Sequence, residues 1–276
     1  MRASWTAQGA AAQRAVLTDL GALDDPLARQ MLGRPMATLA WALGRLPRAA
    51  FARSVTLAGA AGSQRWFDAV LVEALDDGVE QVAILGAGYD ARSWRFARDG
   101  VRFVELDHAA TQREKVRVAS ALGPGPTFVA ADLSTDDAAT ALGAALDLGR
   151  PTLAIVEAVT MYLDEAVVRR QLAGLAEALA PGSRLAVNVL PATSPDSGRN
   201  RRQLRLQRLA RTGTDEHYRC RLDPDAAREL LEACGWTVRE QITFAEAAER
   251  FVPRSTRLPI EAVDPRKTCW LATLPG

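Results

Sequence analysis

The chain has 276 residues, enough to bury a substantial core without disulfides or a structural metal. Hydrophobic residues are 48% and charged residues 24%, the balance of a globular enzyme, and a formal net charge of +1 gives no global attraction for nucleic acid or an anionic membrane. Cys220, Cys234 and Cys269 are far apart and form no metal-ligand pair, no apolar run approaches the ~20 residues of a spanning helix, and the opening residues lack a secretory core, so a cytoplasmic enzyme without a metal is expected.

Residues 1 to 78 read as helices and form an expected N-terminal cap. Ala10 to Leu20 is Ala-rich, and Asp24-Asp25-Pro26 reads as a helix start. Leu27 to Leu46 is apolar at helical spacing, broken at Gly33-Arg34-Pro35 and closed by Pro47. Phe51 to Asp76 reads as one or two further helices with Trp66, Phe67, Val70, Leu71 and Leu75 on one face. The period then changes. Gln81 to Leu85 is a buried strand ending in a glycine turn, and Val101 to Leu106 is a strand ending in Asp107. A helix over Ala109 to Leu122 leads to a third strand, Thr127 to Ala131, ending in Asp132. After a helix over Asp136 to Leu146, the strand Pro151 to Val156 ends in Glu157. Glu165 to Leu179 is a helix and Arg184 to Leu190 a fifth strand. Asp225 to Cys234 is a helix, and Trp236 to Ile242 and Lys267 to Leu274 are the last strands. The alternation predicts one α/β domain: a doubly wound seven-stranded sheet with helices on both faces. Its parts are the cap (1–78), a core (79–190), a cap insertion (191–222) and the C-terminal part of the sheet (223–276).

In such a sheet, ligands bind beyond the carboxyl ends of the strands, at the switch point. Four consecutive strands deliver small or acidic groups to that rim: Gly86-Ala87-Gly88, Asp107, Asp132 and Glu157. Glycines let the turn tighten and let a ligand touch backbone. Asp107 lies 21 residues after Gly86, a nucleoside-recognition spacing, and its carboxylate can accept both ribose hydroxyls. Asp132 can accept from an adenine amino group while Leu133 packs on the ring. A nicotinamide-dependent oxidoreductase is the competing reading. It needs a third glycine beside a pyrophosphate, where this chain has Tyr89 and anionic Asp90. A carboxylate there repels a pyrophosphate and attracts the sulfonium or amino group of S-adenosylmethionine.

The segment Gln81-Val-Ala-Ile-Leu-Gly-Ala-Gly-Tyr-Asp-Ala-Arg-Ser-Trp-Arg-Phe96 resembles the glycine motif of the leucine carboxyl methyltransferase-like family. The likeness continues through Phe103-Val-Glu-Leu-Asp107 with Lys115, Val129-Ala-Ala-Asp132-Leu133, and Glu157-Ala-Val-Thr-Met-Tyr162-Leu163. Trp5-Thr6-Ala7 and Asp25-Pro26-Leu27-Ala28 are similar to the opening of its bacterial small-molecule branch. The resemblance implies a Rossmann-like class I methyltransferase that uses S-adenosyl-L-methionine; with only two histidines in the chain it favours a carboxylate acceptor, and O-methylation of a carboxylate or hydroxyl of a small molecule, in secondary metabolism, is expected. The resemblance also implies that Arg65 holds the methionine carboxylate of the cofactor and that Gly86, Ala87 and Gly88 line the methionine portion. Asp107 would hold the ribose, Asp132 and Leu133 would flank adenine, and Glu157 would sit near the amino group and sulfonium. Asp90 and Arg92 look like an ion pair shaping the turn. Tyr89 and Ala91 depart from the family's commoner aliphatic and threonine.

Each of these residues also has a plainer reading. Asp107 or Glu157 could cap a following turn, and Arg65 could be a solvated helix residue. Glu105 reads as salt-bridged or supporting Asp107, and His108 either borders the adenosine or is a plain loop residue. No catalytic residue is assigned; His217 and Tyr162 are candidates for a base or an acceptor contact, Tyr162 equally for core packing. Arg199, Arg201, Arg202, Arg205, Arg208 and Arg211 read as a solvated helix face first, an acceptor-carboxylate site second and a nucleic-acid contact last, since no aromatic is interleaved for base stacking. A small-molecule acceptor is the expected partner, with no nucleic acid and no membrane, and the oligomeric state is not readable. A catalytically silent cofactor-binding partner protein stays open, because methyl transfer needs few dedicated side chains.

Overall fold

The computed structural model describes residues 5–192 and 218–276. Its strands are β1 (Gln81–Leu85), β2 (Arg102–Asp107), β3 (Thr127–Ala130), β4 (Thr152–Val156), β5 (Arg184–Val189), β6 (Thr237–Thr243) and β7 (Thr268–Thr273). They form one sheet in the order β3-β2-β1-β4-β5-β7-β6. Strands β1 to β5 pair in parallel, and β7 runs antiparallel to both β5 and β6. The order reverses between β1 and β4, which opens a crevice beyond their carboxyl ends. Both of these central strands are buried along their whole length, as continuous apolar runs must be when helices cover both faces.

Alternate residues of β1 feed two separate cores. Val82 and Ile84 join one cluster with Trp66, Phe67, Phe244 and Ala248, while Ala83 and Leu85 join the other with Leu142, Leu172, Leu230 and Trp270. The first face carries α1 (Trp5–Asp19), α2 (Arg34–Gly44), α3 (Val55–Asp76) and α9 (Phe244–Phe251). The second carries α6 (Ala138–Gly143), α7 (Glu165–Ala178) and α8 (Pro224–Ala233). Two more helices, α4 (Arg92–Arg95) and α5 (Ala109–Ala119), follow β1 and β2.

Of the residues grouped as a cap, α3 lies directly on the sheet. Its Ser63 hydroxyl is 3.4 Å from the Cys269 sulfur on β7, and its Trp66 indole donates to Glu240 on β6 at 3.0 Å. Helices α3 and α9 cross at Gly62, where a Cβ would stand 2.4 Å from the Ala248 backbone nitrogen. Only hydrogen fits there.

Two expectations fail. Residues 26 to 32 form turns, not a helix. The Asp25 side chain, expected to start that helix, is drawn to Arg14 at 3.0 Å and leaves the following amides uncapped. Helix α9 was not expected. Its Thr243 and Glu246 form a capping box, each side chain accepting from the other's backbone N–H.

The amino ends of the strands are closed by side chains. The Gln81 amide donates to the Asp147 carbonyl at 2.8 Å and accepts from the Asp147 N–H at 2.9 Å. The Ser183 hydroxyl accepts from the Thr152 N–H at 3.1 Å, tying β4 to the start of β5. Cys220, Cys234 and Cys269 are all buried free thiols.

Candidate functional site

The turn after β1 has Gly86 at φ +61° and Gly88 at φ +49°, the left-handed region that glycine enters without strain. Packing adds a second reason for both. A Cβ on Gly86 would stand 2.4 Å from a Val159 methyl, and one on Gly88 would stand 3.1 Å from the Ala7 methyl of α1. Helix α1 therefore roofs the turn, and Arg14 holds it there by donating to the Tyr89 carbonyl.

Asp107 ends β2 beside this turn. One carboxylate oxygen accepts the Gly88 N–H at 2.5 Å and the other the His108 N–H at 2.6 Å. Burial raises the Asp107 pKa above the ordinary value, although these two amides and the Lys115 charge favour ionisation. Asp107 caps no helix. His108 does, its Nδ1 accepting from the Ala110 N–H at 3.1 Å at the start of α5. Glu105, fully buried, is paired with the equally buried Lys115 and accepts the Ser93 hydroxyl at 2.7 Å.

Arg92 is the hub of the site. Its side chain is 3% exposed and donates to Asp68 at 2.7 Å, Asp90 at 2.7 Å and Glu157 at 2.6 Å. It thus joins α3, the glycine turn and the end of β4. The pair of Asp90 and Arg92 read from the sequence is present, and Glu157 spends one oxygen on Arg92 instead of capping a turn. Burial alone would raise Asp90, but Arg92, Arg14 and Lys115 outweigh it and hold the carboxyl at about 2. For Glu157 burial wins and the pKa is raised despite Arg92, with Asp90 adding repulsion. Arg95 pairs with Asp68 at 2.6 Å and Arg14 with Asp25 at 3.0 Å. Four carboxylates (Asp25, Asp68, Asp90, Glu157) meet three guanidiniums (Arg14, Arg92, Arg95), which leaves one negative charge. All of these except Glu157 line a small cavity that Leu23 and Gln64 complete, and Asp25 and Gln64 each have a buried oxygen lacking a hydrogen bond there.

The other candidates are more scattered. Asp132 lies two residues past β3, its Oδ1 accepting the Ser134 hydroxyl at 2.6 Å and N–H at 2.9 Å, which lowers its pKa. Leu133 next to it is buried, as is Ala87 in the glycine turn. Arg65 donates to the Ala22 carbonyl and is not among the residues around Arg92; α3 sends Gln64 and Asp68 there instead. Tyr162 follows β4 in a short 3-10 turn, half-buried, its ring 5.6 Å from that of Tyr218. His217 and the arginines from Arg199 to Arg211 lie outside the described residues. Sequence reasoning missed Arg14, Asp25, Gln64, Asp68 and Arg95. The available signal was spacing: Gln64 and Asp68 are one turn apart on α3, as are Arg92 and Arg95 on α4. Among the described residues no group of His, Cys, Asp and Glu has the arrangement of a metal site, and no helix is long and apolar enough to cross a membrane.

A parallel sheet that reverses at a glycine turn, with acidic side chains at the adjoining strand ends, defines the nucleoside-binding α/β class. Within it, the chain belongs to the leucine carboxyl methyltransferase family, whose model matches residues 5–176. A Frankia alni protein with the name "Putative S-adenosyl-L-methionine-dependent methyltransferase" is 32% identical over 234 residues, 81% of this chain and 74% of that one. A protein of the same name from Mycobacterium avium is 30% identical over 269 residues, 84% of this chain and 80% of that one. The crystal structure of a putative methyltransferase from Thermobifida fusca superposes with a TM-score of 0.58 at 18% identity, covering 96% of this chain and 94% of that one.

Proposed function

We propose that this chain is an S-adenosyl-L-methionine-dependent O-methyltransferase acting on a carboxylate or hydroxyl of a small molecule. The observation that carries the reading is the juxtaposition of Asp107, the Gly86–Gly88 turn and Glu157 around the β1/β4 crevice, with one uncompensated negative charge about Arg92. Family membership supports the reaction class. Against a dinucleotide, Asp90 stands ionised where a pyrophosphate would lie, and α4 is only 4 residues long.

The residues present fit the cofactor. Each Asp107 oxygen accepts one amide and keeps a further lone pair for a ribose hydroxyl. The second oxygens of Glu157 and Asp132 accept no hydrogen bond from any described residue, so each can take a donor: an ammonium at Glu157 and an adenine amino group at Asp132. Leu133 would flank the adenine and Gly86 to Gly88 the methionine chain. Arg65 donates to the Ala22 carbonyl through Nε alone, which leaves its Nη donors for the methionine carboxylate. When bound, the cofactor supplies a methyl group already activated by a sulfonium, so the protein's task is alignment and exclusion of water. A carboxylate acceptor is anionic at neutral pH and needs no base; a hydroxyl acceptor needs one, for which Tyr162 and His217 are the candidates.

Calorimetric titration with S-adenosylmethionine and S-adenosylhomocysteine tests the reading. Micromolar binding by the wild type that Asp107→Ala weakens by at least about tenfold is expected, since a charge-assisted hydrogen bond contributes roughly 1.5–3 kcal/mol. Absence of binding by the wild type overturns the reading. A screen of acceptors with labelled methyl donor then separates ester from ether: alkali releases label from a methyl ester and leaves a methyl ether intact.

A further inference from the structure

Among the described residues, the exposed large hydrophobic side chains are Leu39 (52%), Trp41 (45%), Leu43 (40%), Leu46 (45%) and Val116 (45%). Four of these five fall within eight residues, on α2 and the turn after it. Leu39 and Leu43 are one helical turn apart on one flank, Leu46 continues that line, and within α2 only Ala40 is buried. Trp41, two residues from both Leu39 and Leu43, stands on the other flank, so apolar side chains border the exposed half of α2 on both sides, and such a surface marks an interaction site. The Asp19 carboxylate, which stands against Gly44 of α2, is paired with Arg29, and the rest of the segment is cationic. From Pro26 to Phe67 the chain has no Asp, Glu or Lys. Arg34, Arg45, Arg48 and Arg53 are all exposed, and none pairs with a carboxylate of the described residues. The Arg45 guanidinium covers the Trp41 ring at 3.8 Å from its centroid, so its charge stays at the apolar surface. The overall charge of +1 averages over this local excess of four.

We propose that α2 and the segment through Arg53 dock on an anionic lipid surface. Leu39, Leu43, Leu46 and Trp41 enter the boundary between headgroups and acyl chains, and the arginines pair with lipid phosphates. A second copy of the chain fits the same patch less well. A two-fold interface sets a patch against itself, and here that would bring unpaired arginines against unpaired arginines. An acidic protein would satisfy the arginines but needs matching shape, whereas a lipid surface asks only for apolar side chains flanked by cations.

The test is cosedimentation of the full chain with phosphatidylcholine vesicles, with and without phosphatidylglycerol. Binding is expected only with the anionic lipid and should weaken with salt. Arg34→Gln/Arg45→Gln/Arg48→Gln/Arg53→Gln and, separately, Leu39→Ser/Leu43→Ser/Leu46→Ser should each lower the partition coefficient at least about tenfold, with melting temperature unchanged. Brominated lipid should quench a part of the tryptophan emission that Trp41→Phe removes, a readout independent of the multiple variants. Failure of the wild type to bind anionic vesicles, or binding that both sets of substitutions leave unchanged, overturns the proposal. So does leucine-dependent dimerisation in the ultracentrifuge without vesicle binding, or capture by polyglutamate in place of vesicles. None of these outcomes depends on cofactor binding, so this proposal and the methyltransferase reading fail separately.

Discussion

Asp90 shows what one guanidinium does to the residues around it. Its carboxyl sits at about 2 in the fold against an ordinary 3.8. The native state therefore keeps Asp90 ionised where the unfolded chain is protonated. The stabilisation is complete above the unfolded value and is lost as pH falls through it toward about 2. It amounts to about 2 kcal/mol. Asp90→Asn should flatten the loss of stability between about pH 4 and pH 2, followed by denaturant unfolding across that range; an unaltered acid limb would refute the assignment. Asp107 and Glu157 have the opposite sign: burial raises their values, so each ionised carboxylate is a cost to the fold at neutral pH, which a ligand donating to them offsets. Gly86, Gly88, Asp107 and Glu157 were legible in the sequence because each closes a short apolar run, and a strand end is a position the eye can count to. Arg14 and Asp25 were not. Arg14 reaches Tyr89 across 75 residues of chain, a pairing that only the finished packing of α1 on the turn creates.

Helices set the limits within which those side chains can meet. Gly62 lets α3 and α9 touch backbone to backbone, and a methyl group there would stand 2.4 Å from the Ala248 nitrogen. Neither backbone can yield without lifting its helix off the sheet. Gly62→Ala should destabilise by roughly 1–3 kcal/mol in denaturant unfolding despite the better helix propensity of alanine. A neutral or stabilising result would show that the two helices slide apart freely. Elements with one strong period, β1 and α7 among them, were read almost to the residue. Residues 26 to 32 were misread because Asp25, a helix-start signal by type, is occupied by an ion pair with Arg14. Helix α9 went unseen because 8 residues barely make two turns, although Thr243-Phe-Ala-Glu246 spelled out its cap.

Across the whole molecule the two edges of the parallel sheet have different tasks. At the carboxyl edge stand Asp107, the glycine turn and Glu157; at the amino edge Gln81, Asp147, Thr152 and Ser183 close the strands on one another. Replacing Gln81 by Leu should cost about 1–3 kcal/mol of stability by leaving the Asp147 N–H unpaired, while the Asp147 carbonyl keeps the Arg150 N–H. The affinity for S-adenosylhomocysteine measured by calorimetry should stay at the wild-type value. A large loss of affinity would mean that the edges are coupled. If they are independent, lineages of this fold can drift on two clocks. The closed edge tolerates only substitutions that restore its pairings, so its history is one of slow compensation. The open edge can gain or lose an acceptor contact while the scaffold beneath it keeps its shape, so relatives can differ in what they methylate long before they differ in how they fold.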